Sequence, residues 1–307
     1  MATLLYFDDE REPAQRLAQL CKLPSACIES HRFPDDELRL RLPVNASGQV
    51  DSSLVIYRGL DHPNDKLISL LLAASEARSL GVQRILLVSP YLAYMRQDIA
   101  FHPGEVISQK RIGHFLSTLV DGIVTVDPHL HRISRLEEAV PLPYAVTLSG
   151  APALSDWIAN QLRSPLLIGP DAESEQWVQS AAARHGWDFG VCTKVRRGDH
   201  AVEIELPDLS VKDREVVLLD DVASSGRTLA VACRLLLNAG AASVDVAVTH
   251  ALFAHDAQHI IHQAGVRHIW STDCIPHPSN TITMAPHIAQ AVNDWVGESS
   301  PKIPHAC

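Results

Sequence analysis

Four apolar residues, Val216-Val-Leu-Leu219, run into two adjacent carboxylates, Asp220 and Asp221, then into Val-Ala-Ser-Ser-Gly226 and a helix-forming run from Thr228 to Ala239. Few folds accommodate this order. A short unbroken apolar run reads as a strand buried on both faces, as in a parallel sheet. In open α/β sheets, ligands bind beyond the carboxyl ends of such strands. Loop hydroxyls and N–H groups there meet the positive end of the following helix, which favours a phosphate. The two carboxylates cannot hold that phosphate; they suit ribose hydroxyls or a divalent cation. The plain alternative is a strand-to-helix turn in which Asp and Ser serve as N-caps. No Gly-Lys-Ser/Thr follows, and no GxGxxG stands at a strand-to-helix turn, so neither the Walker nor the dinucleotide fingerprint applies.

The same plan occurs twice along the chain. Ser53–Tyr57 predicts a strand, followed by a loop over 58–65, a helix to Ser79 closed by Gly81, and a strand at Arg84–Pro90. Pro165–Gly169 predicts the matching strand, with a loop at Pro170–Glu173, a helix ending at Gly186, and Val216–Leu219 in the place of Ile85–Val88. Alternating strands and helices give a parallel sheet. The expectation is an α/β chain of two duplicated domains, 1–142 and 143–307, joined near Pro141-Leu-Pro143, with the last helix a candidate to return to the N-terminal domain. Between Val191 and Leu209 the pattern changes. The basic Thr193-Lys-Val-Arg-Arg-Gly-Asp-His200 passes into the alternating Ala201–Leu206, which reads as a β-hairpin flap.

Composition narrows the function classes. With 307 residues, two domains are expected. A net charge of −10 argues against broad nucleic-acid binding, which needs a basic face. No apolar run reaches membrane-spanning length, and the acidic start Met1–Glu10 is not a signal peptide. The six scattered cysteines form no CxxC pair, which speaks against zinc and for a reducing, cytoplasmic setting.

The stretch at 216–229 resembles the phosphoribosyl-pyrophosphate (PRPP) loop of type I phosphoribosyltransferase folds, whose pattern is an apolar strand, two acids and a loop ending Thr-Gly-Gly-Thr. That loop alone does not separate enzymes that make PRPP from those that consume it. Other segments do. Tyr91–Asp98 is similar to the segment of ribose-phosphate pyrophosphokinases that ends Arg-Gln-Asp and contacts ATP, and Glu105–Lys110 continues the match. Arg32-Phe-Pro-Asp-Asp-Glu37 resembles that family's Arg-Phe-Ser-Asp-Gly-Glu loop. Thr125-Val-Asp-Pro-His129 resembles its Val-Asp-Leu-His metal segment, Lys194-Val-Arg196 its Lys-x-Arg flap, and Thr272–Pro278 its Thr-Asp-Thr-Ile-Pro segment. The resemblance is therefore to the ribose-phosphate pyrophosphokinase family, along nearly the whole chain and in order.

It implies two phosphoribosyltransferase-like domains, each a mainly parallel sheet flanked by helices, with the flap in the second. It implies a Mg²⁺-dependent transfer of pyrophosphate from ATP to ribose 5-phosphate. Asp220, Asp221, Ser224, Ser225, Gly226, Arg227 and Thr228 would hold the ribose phosphate, and Lys194 and Arg196 would be catalytic. Arg96 and Gln97 would hold ATP, with Phe33, Asp35 and Glu37 reaching in from a neighbouring copy of a homo-oligomer. His129, Asp127 and Asp171 would support the metal. Each residue has a chemistry of its own that fits: Arg96 can stack on a purine or pair with phosphate, Gln97 can bond an adenine edge, and flap cations can stabilise a transferring phosphoryl centre. In isolation Arg96 reads as a surface arginine, Phe33 as core, and His129 as a structural histidine. His255, His259 and His262 fall on one side of an expected helix and read as a wet polar face.

Two departures from the family pattern matter. Arg227 stands where the second Gly of Thr-Gly-Gly-Thr is usual, and Ala172-Glu-Ser174 replaces a Gly-rich turn. They motivate two other expectations to be weighed: a non-catalytic, regulatory synthetase-like subunit, or, with less support, a PRPP-consuming phosphoribosyltransferase.

Overall fold

The computed structural model describes residues 2–130, 132–197 and 201–298, and of residues 195–197 and 201–203 the backbone alone. The chain divides into two compact units: residues 1–148 with 285–307, and residues 149–284.

In the first unit, strands β1 (Ala2–Phe7), β2 (Ser25–Arg32), β3 (Leu38–Arg41), β4 (Ser53–Tyr57), β5 (Arg84–Val88), β6 (Gly122–Val126) and β7 (Tyr144–Leu148) form one sheet in the order β3-β2-β1-β4-β5-β6-β7. All neighbours run parallel except β2 and β3, which form a hairpin. Helices α1 (Arg11–Cys21), α2 (Pro63–Ser79) and α3 (Ser108–Leu119) make the crossovers. The central strands are apolar on both faces: Leu54, Ile56, Ile85, Leu87 and Ile123 are buried on one and Val55, Leu86 and Val124 on the other. Each such side chain contributes about 2 kcal/mol by leaving water. The expected helix stop at Gly81 is present, with Gly81 at φ +90°, a conformation that costs other residues strain.

The second unit begins with α4 (Ala151–Gln161). Its sheet contains β8 (Leu166–Gly169), β9 (Phe189–Val191), β12 (Glu215–Ala223), β13 (Ser243–Ala251), β14 (Ile269–Thr272) and β15 (Asn280–Ile282). The order is β15-β14-β13-β12-β8-β9, and every pair is parallel. Helices α5 (Glu175–His185), α6 (Arg227–Asn238) and α7 (Ala257–Gln263) cover it. Strands β10 (Thr193–Arg197) and β11 (Ala201–Glu205) form the separate antiparallel hairpin expected from the basic stretch.

The last helix, α8 (Ala285–Gly297), is part of the first unit and packs on α1. Trp295 is buried there, and the Arg84 guanidinium lies 4.2 Å from its ring centroid while donating to the carbonyl of Glu298 at 2.7 Å. A cation on the terminal carbonyls closes the helix end. The boundary between units follows Leu148 and not Pro141-Leu-Pro143, because Tyr144–Leu148 pairs along β6 as the edge strand of the first sheet. Among the described residues no helix is long and apolar enough to cross a membrane.

Candidate functional site

Each sheet has one place where the strand order reverses, and loops diverge there to leave a crevice. In the second unit the reversal falls between β8 and β12, aligned by Leu218 beside Ile168. Asp171 follows β8. Asp220 and Asp221 lie inside β12, which runs on to Ala223, so the two acids belong to the strand and not to the loop expected from the sequence. The Asp221 N–H donates to Oδ1 of Asp220 at 3.0 Å, and Asp221 is buried. Burial, then the neighbouring charges of Asp221 and Asp171, pushes the Asp220 pKa well above the ordinary carboxylate range. Three carboxylates therefore crowd a small volume.

The cation that answers them comes from the flap. Lys194 Nζ donates to Oδ2 of Asp171 at 2.7 Å. Partial burial works against the ammonium, but the hydrogen bond and charge of Asp171, with Glu173 and Asp220 beyond, outweigh it and hold the Lys194 pKa above its usual value. Asp171 also accepts the Glu173 N–H at 3.1 Å, so the turn at Ala172–Ser174 is folded onto its own first residue. Arg196 lies in β10, and its side chain is outside the described residues, as is the hairpin turn at 198–200.

Beyond β12 the chain enters α6 through Gly226, at φ +69°. A Cβ there would stand 2.9 Å from the Ala257 carbonyl oxygen, so both conformation and space require glycine. The first turn of α6 has no side-chain cap and no acidic residue, leaving its N–H groups and dipole to an anion. Ser224 and Thr228 are half-buried and Ser225 is exposed around this turn. Arg227 is the first residue of the helix and is exposed; the left-handed conformation falls on Gly226, so Arg227 has no need of a glycine's backbone freedom. The histidine face divides: His255 precedes α7 at φ +57°, while His259 and His262 lie exposed on it.

In the first unit, residues 89–107 leave β5 and reach α3 with no helix or strand between. A structureless excursion of that length usually carries function. It is pinned at its root by buried Leu92 and Met95 and by Gln109, whose Nε2 donates to the Met95 carbonyl at 3.1 Å. Arg96 is exposed on it. Gln97 is half-buried, and its Nε2 donates both to the Ile99 carbonyl at 3.0 Å and to Oε1 of Glu105 at 2.9 Å. Phe33, Asp35 and Glu37 are exposed at the tip of the β2–β3 hairpin, and Phe33 meets His31 edge-on at 4.8 Å. Asp36, where the resembling loop has Gly, takes φ +69°. Asp127 is buried after β6 at φ +36°, its N–H on the Leu148 carbonyl at 2.8 Å, and His129 is half-buried two residues on.

A divalent cation fits part of this arrangement. Asp171 offers hard carboxylate oxygen beside Asp220. Among the described residues no set of three or more His, Cys, Asp or Glu side chains forms a metal cage. A cation held by few side chains and completed by water and phosphate oxygens suits Mg²⁺.

Sequence reading missed a second charge cluster, at the reversal between β1 and β4 of the first unit. Arg58 Nη1 donates to Asp9 at 2.7 Å and to Glu10 at 3.1 Å, and its guanidinium lies 4.2 Å from the Phe7 ring centroid. Lys66 donates to Asp61 at 2.6 Å, and the Gly59 N–H donates to Glu10 at 2.6 Å. Glu10, Arg58, Asp61 and Lys66 are all buried. Burial pushes the Glu10 pKa up to about 7 against the pull of Arg58 and Lys66. Asp8-Asp-Glu10 after β1 and Arg58-Gly-Leu-Asp61 after β4 were the available signal, but nothing in the sequence paired them.

Comparison with known proteins agrees with this geometry. Residues 2–119 match the family model described as the N-terminal domain of ribose phosphate pyrophosphokinase, and residues 150–272 match the phosphoribosyl transferase domain. The ribose-phosphate pyrophosphokinase of Methanopyrus kandleri is 32% identical over 287 residues, covering 92% of this chain and 96% of that one. That of Methanosarcina acetivorans is 33% identical over 280 residues, covering 91% and 95%. The crystal structure of phosphoribosylpyrophosphate synthetase from Mycobacterium smegmatis superposes with a TM-score of 0.81 at 20% identity, over 96% of this chain and 98% of that one, a likeness of fold.

Proposed function

The chain belongs to the ribose-phosphate pyrophosphokinase family, and on that premise we propose that it transfers the β,γ-pyrophosphoryl group of ATP to the anomeric hydroxyl of ribose 5-phosphate, giving PRPP and AMP. The observation that carries this reading is the Asp171–Lys194–Asp220 cluster beside the uncapped start of α6. The 5-phosphate would take the free N–H groups of α6 with the hydroxyls of Ser224, Ser225 and Thr228. Gly226 admits it closely, and exposed Arg227 adds a cation at the same helix end. Asp220 and Asp221 would accept from the ribose hydroxyls. Arg96 and Gln97 would hold the purine of ATP.

Mg²⁺ would be held at Asp171, with His129 and Asp127 as further supports, and when bound it would neutralise phosphate charge. Lys194, and Arg196 beside it in β10, would stabilise the charge on the transferring group. Positioning and electrostatics carry such a reaction, with no covalent intermediate. Lys194 rests on Asp171, the carboxylate that would also help hold the metal. The exposed Phe33–Glu37 tip supports a homo-oligomer in which this hairpin reaches a neighbour's ATP site. The free thiols of Cys21, Cys27, Cys192, Cys233 and Cys274 support a cytoplasmic setting.

One assay tests the reading: purified chain, MgATP and ribose 5-phosphate, with AMP and PRPP quantified, and EDTA as control. Equal AMP and PRPP, both lost on chelation, is the expected outcome. No product would leave the non-catalytic, nucleotide-binding subunit. Pyrophosphate released from PRPP and a nucleobase would revive the transferase reading. A monomer by light scattering under assay conditions would remove the shared site.

A further inference from the structure

We propose that Glu105 is a positioning residue that fixes which face of the Gln97 amide meets the nucleotide, and thereby selects a purine with an amino group at position 6. The inference rests on the proposed role of Gln97 at the purine. An amide side chain presents either a carbonyl acceptor or an NH2 donor, and turning it by half a revolution exchanges the two. Which one faces a ligand is set by the surrounding hydrogen-bond network.

Here the network decides. Two acceptors face one end of the Gln97 amide: the Ile99 carbonyl at 3.0 Å and Oε1 of Glu105 at 2.9 Å. Both are acceptor-only, so that end must be Nε2, and both of its hydrogens are used. What remains for a ligand is Oε1, an acceptor. The 6-amino group of adenine donates to an acceptor. The 6-oxo group of hypoxanthine or guanine does not, and would face Oε1 oxygen to oxygen.

Glu105 is itself held. Its other oxygen, Oε2, accepts the N–H of Phe101 at 2.7 Å and of His102 at 3.0 Å. Those backbone bonds, followed by the Gln97 contact, pull its pKa below the ordinary glutamate value, so it stays an acceptor at neutral pH. The turn between them passes through Gly104 at φ +85°, and the Glu105 N–H donates to the His102 carbonyl at 3.1 Å. One carboxylate thus closes the tip of the 89–107 excursion and orients its ligand-facing amide. Gln109 anchors the root separately, with its N–H on the Gln97 carbonyl at 3.1 Å. Loss of Glu105 leaves Nε2 the Ile99 carbonyl alone and should therefore loosen the orientation of the amide without unfastening the whole loop.

The test is Glu105→Gln, read by calorimetric binding and by turnover with ATP and with inosine triphosphate. In the variant, the carbonyl oxygen of the introduced amide accepts the Phe101 and His102 N–H groups and its NH2 faces residue 97, so the Gln97 amide is drawn one way by that donor and the other by the Ile99 carbonyl and loses its single orientation. Wild-type chain should bind ATP about tenfold or more tightly over inosine triphosphate, as a site built around one hydrogen-bonding group does. The variant should lose most of that ratio through a higher KM and Kd for ATP, with kcat little changed. Glu105→Asp, which keeps an acceptor, should recover part of the preference. A folded Glu105→Gln chain with the wild-type ratio, or wild-type chain with no preference in binding, would overturn the proposal. A binding preference without turnover would sink only the synthesis reading.

Discussion

The two units place charge clusters at the same topological position and use them differently. At the β1–β4 reversal, Asp9, Glu10 and Asp61 face Arg58 and Lys66, each cation bonded to a buried carboxylate. At the β8–β12 reversal, Asp171, Asp220 and Asp221 face Lys194 from a two-stranded arm. The first cluster is answered by cations on the body of its own fold, β4 and α2, and leaves little charge for a ligand. The second is answered, among the described side chains, by Lys194 on an appendage, beside an uncapped helix start. A crevice at a strand reversal becomes a site when its charge is left to be completed from outside. When internal partners complete it, it becomes a structural joint.

That contrast can be broken by substitutions on either side. The largest effect is expected in the second unit. Lys194→Ala should lower kcat by about 10²-fold or more, the cost of one transition-state donor at ~3 kcal/mol, while the KM for ribose 5-phosphate changes little. Near-normal turnover in steady-state assays would take Lys194 out of the mechanism. In the first unit, Arg58→Ala should act on stability. It strands Glu10 in a buried place without its closest cation, at a cost of about 3 kcal/mol, visible as a lower Tm. The KM for ribose 5-phosphate should hold; a variant that folds normally but loses substrate affinity would show that the first cluster is also a site.

The smallest effect is a slope. The Glu10 pKa rises from an ordinary value near 4.5 to about 7 on folding. The folded state therefore favours the protonated acid: its stability is fully present below about pH 4.5 and is lost as pH rises through about 7. Glu10→Gln should flatten that part of the stability–pH curve relative to the unsubstituted chain. Parallel curves from thermal melts across this range would show that Arg58 and Lys66 keep Glu10 ionised at all of these pH values.

Much of the architecture was legible because apolar runs and glycine stops are local. Ser53–Tyr57 forms a strand with the expected bounds, the strand expected over Arg84–Pro90 ends at Val88, and Gly186 ends α5 in the left-handed conformation. Asp220 and Asp221 belong to the strand and not to the loop that their residue types suggest, because parallel pairing with β13 continues through Asp220 to Ala223. β1 and its edge hairpin were not foreseen, since their pairing depends on strands distant in sequence. For the site, residue types that suit a phosphate, a ribose or a purine could be named in order. Contacts between them could not: Lys194 on Asp171, Arg58 on Glu10 and Glu105 on Gln97 join residues from 8 to 48 positions apart.

By itself the sequence determined the alternation of strands and helices, the duplication, the family and the roster of polar residues, because hydrophobic period and turn chemistry act over a few residues. Tertiary structure decided which charges are cancelled and which are left open, that Arg227 starts a helix in place of a strained turn, and which face of Gln97 is turned outward. Those outcomes depend on burial and on partners from remote segments, and an electrostatic interaction takes its strength from its surroundings.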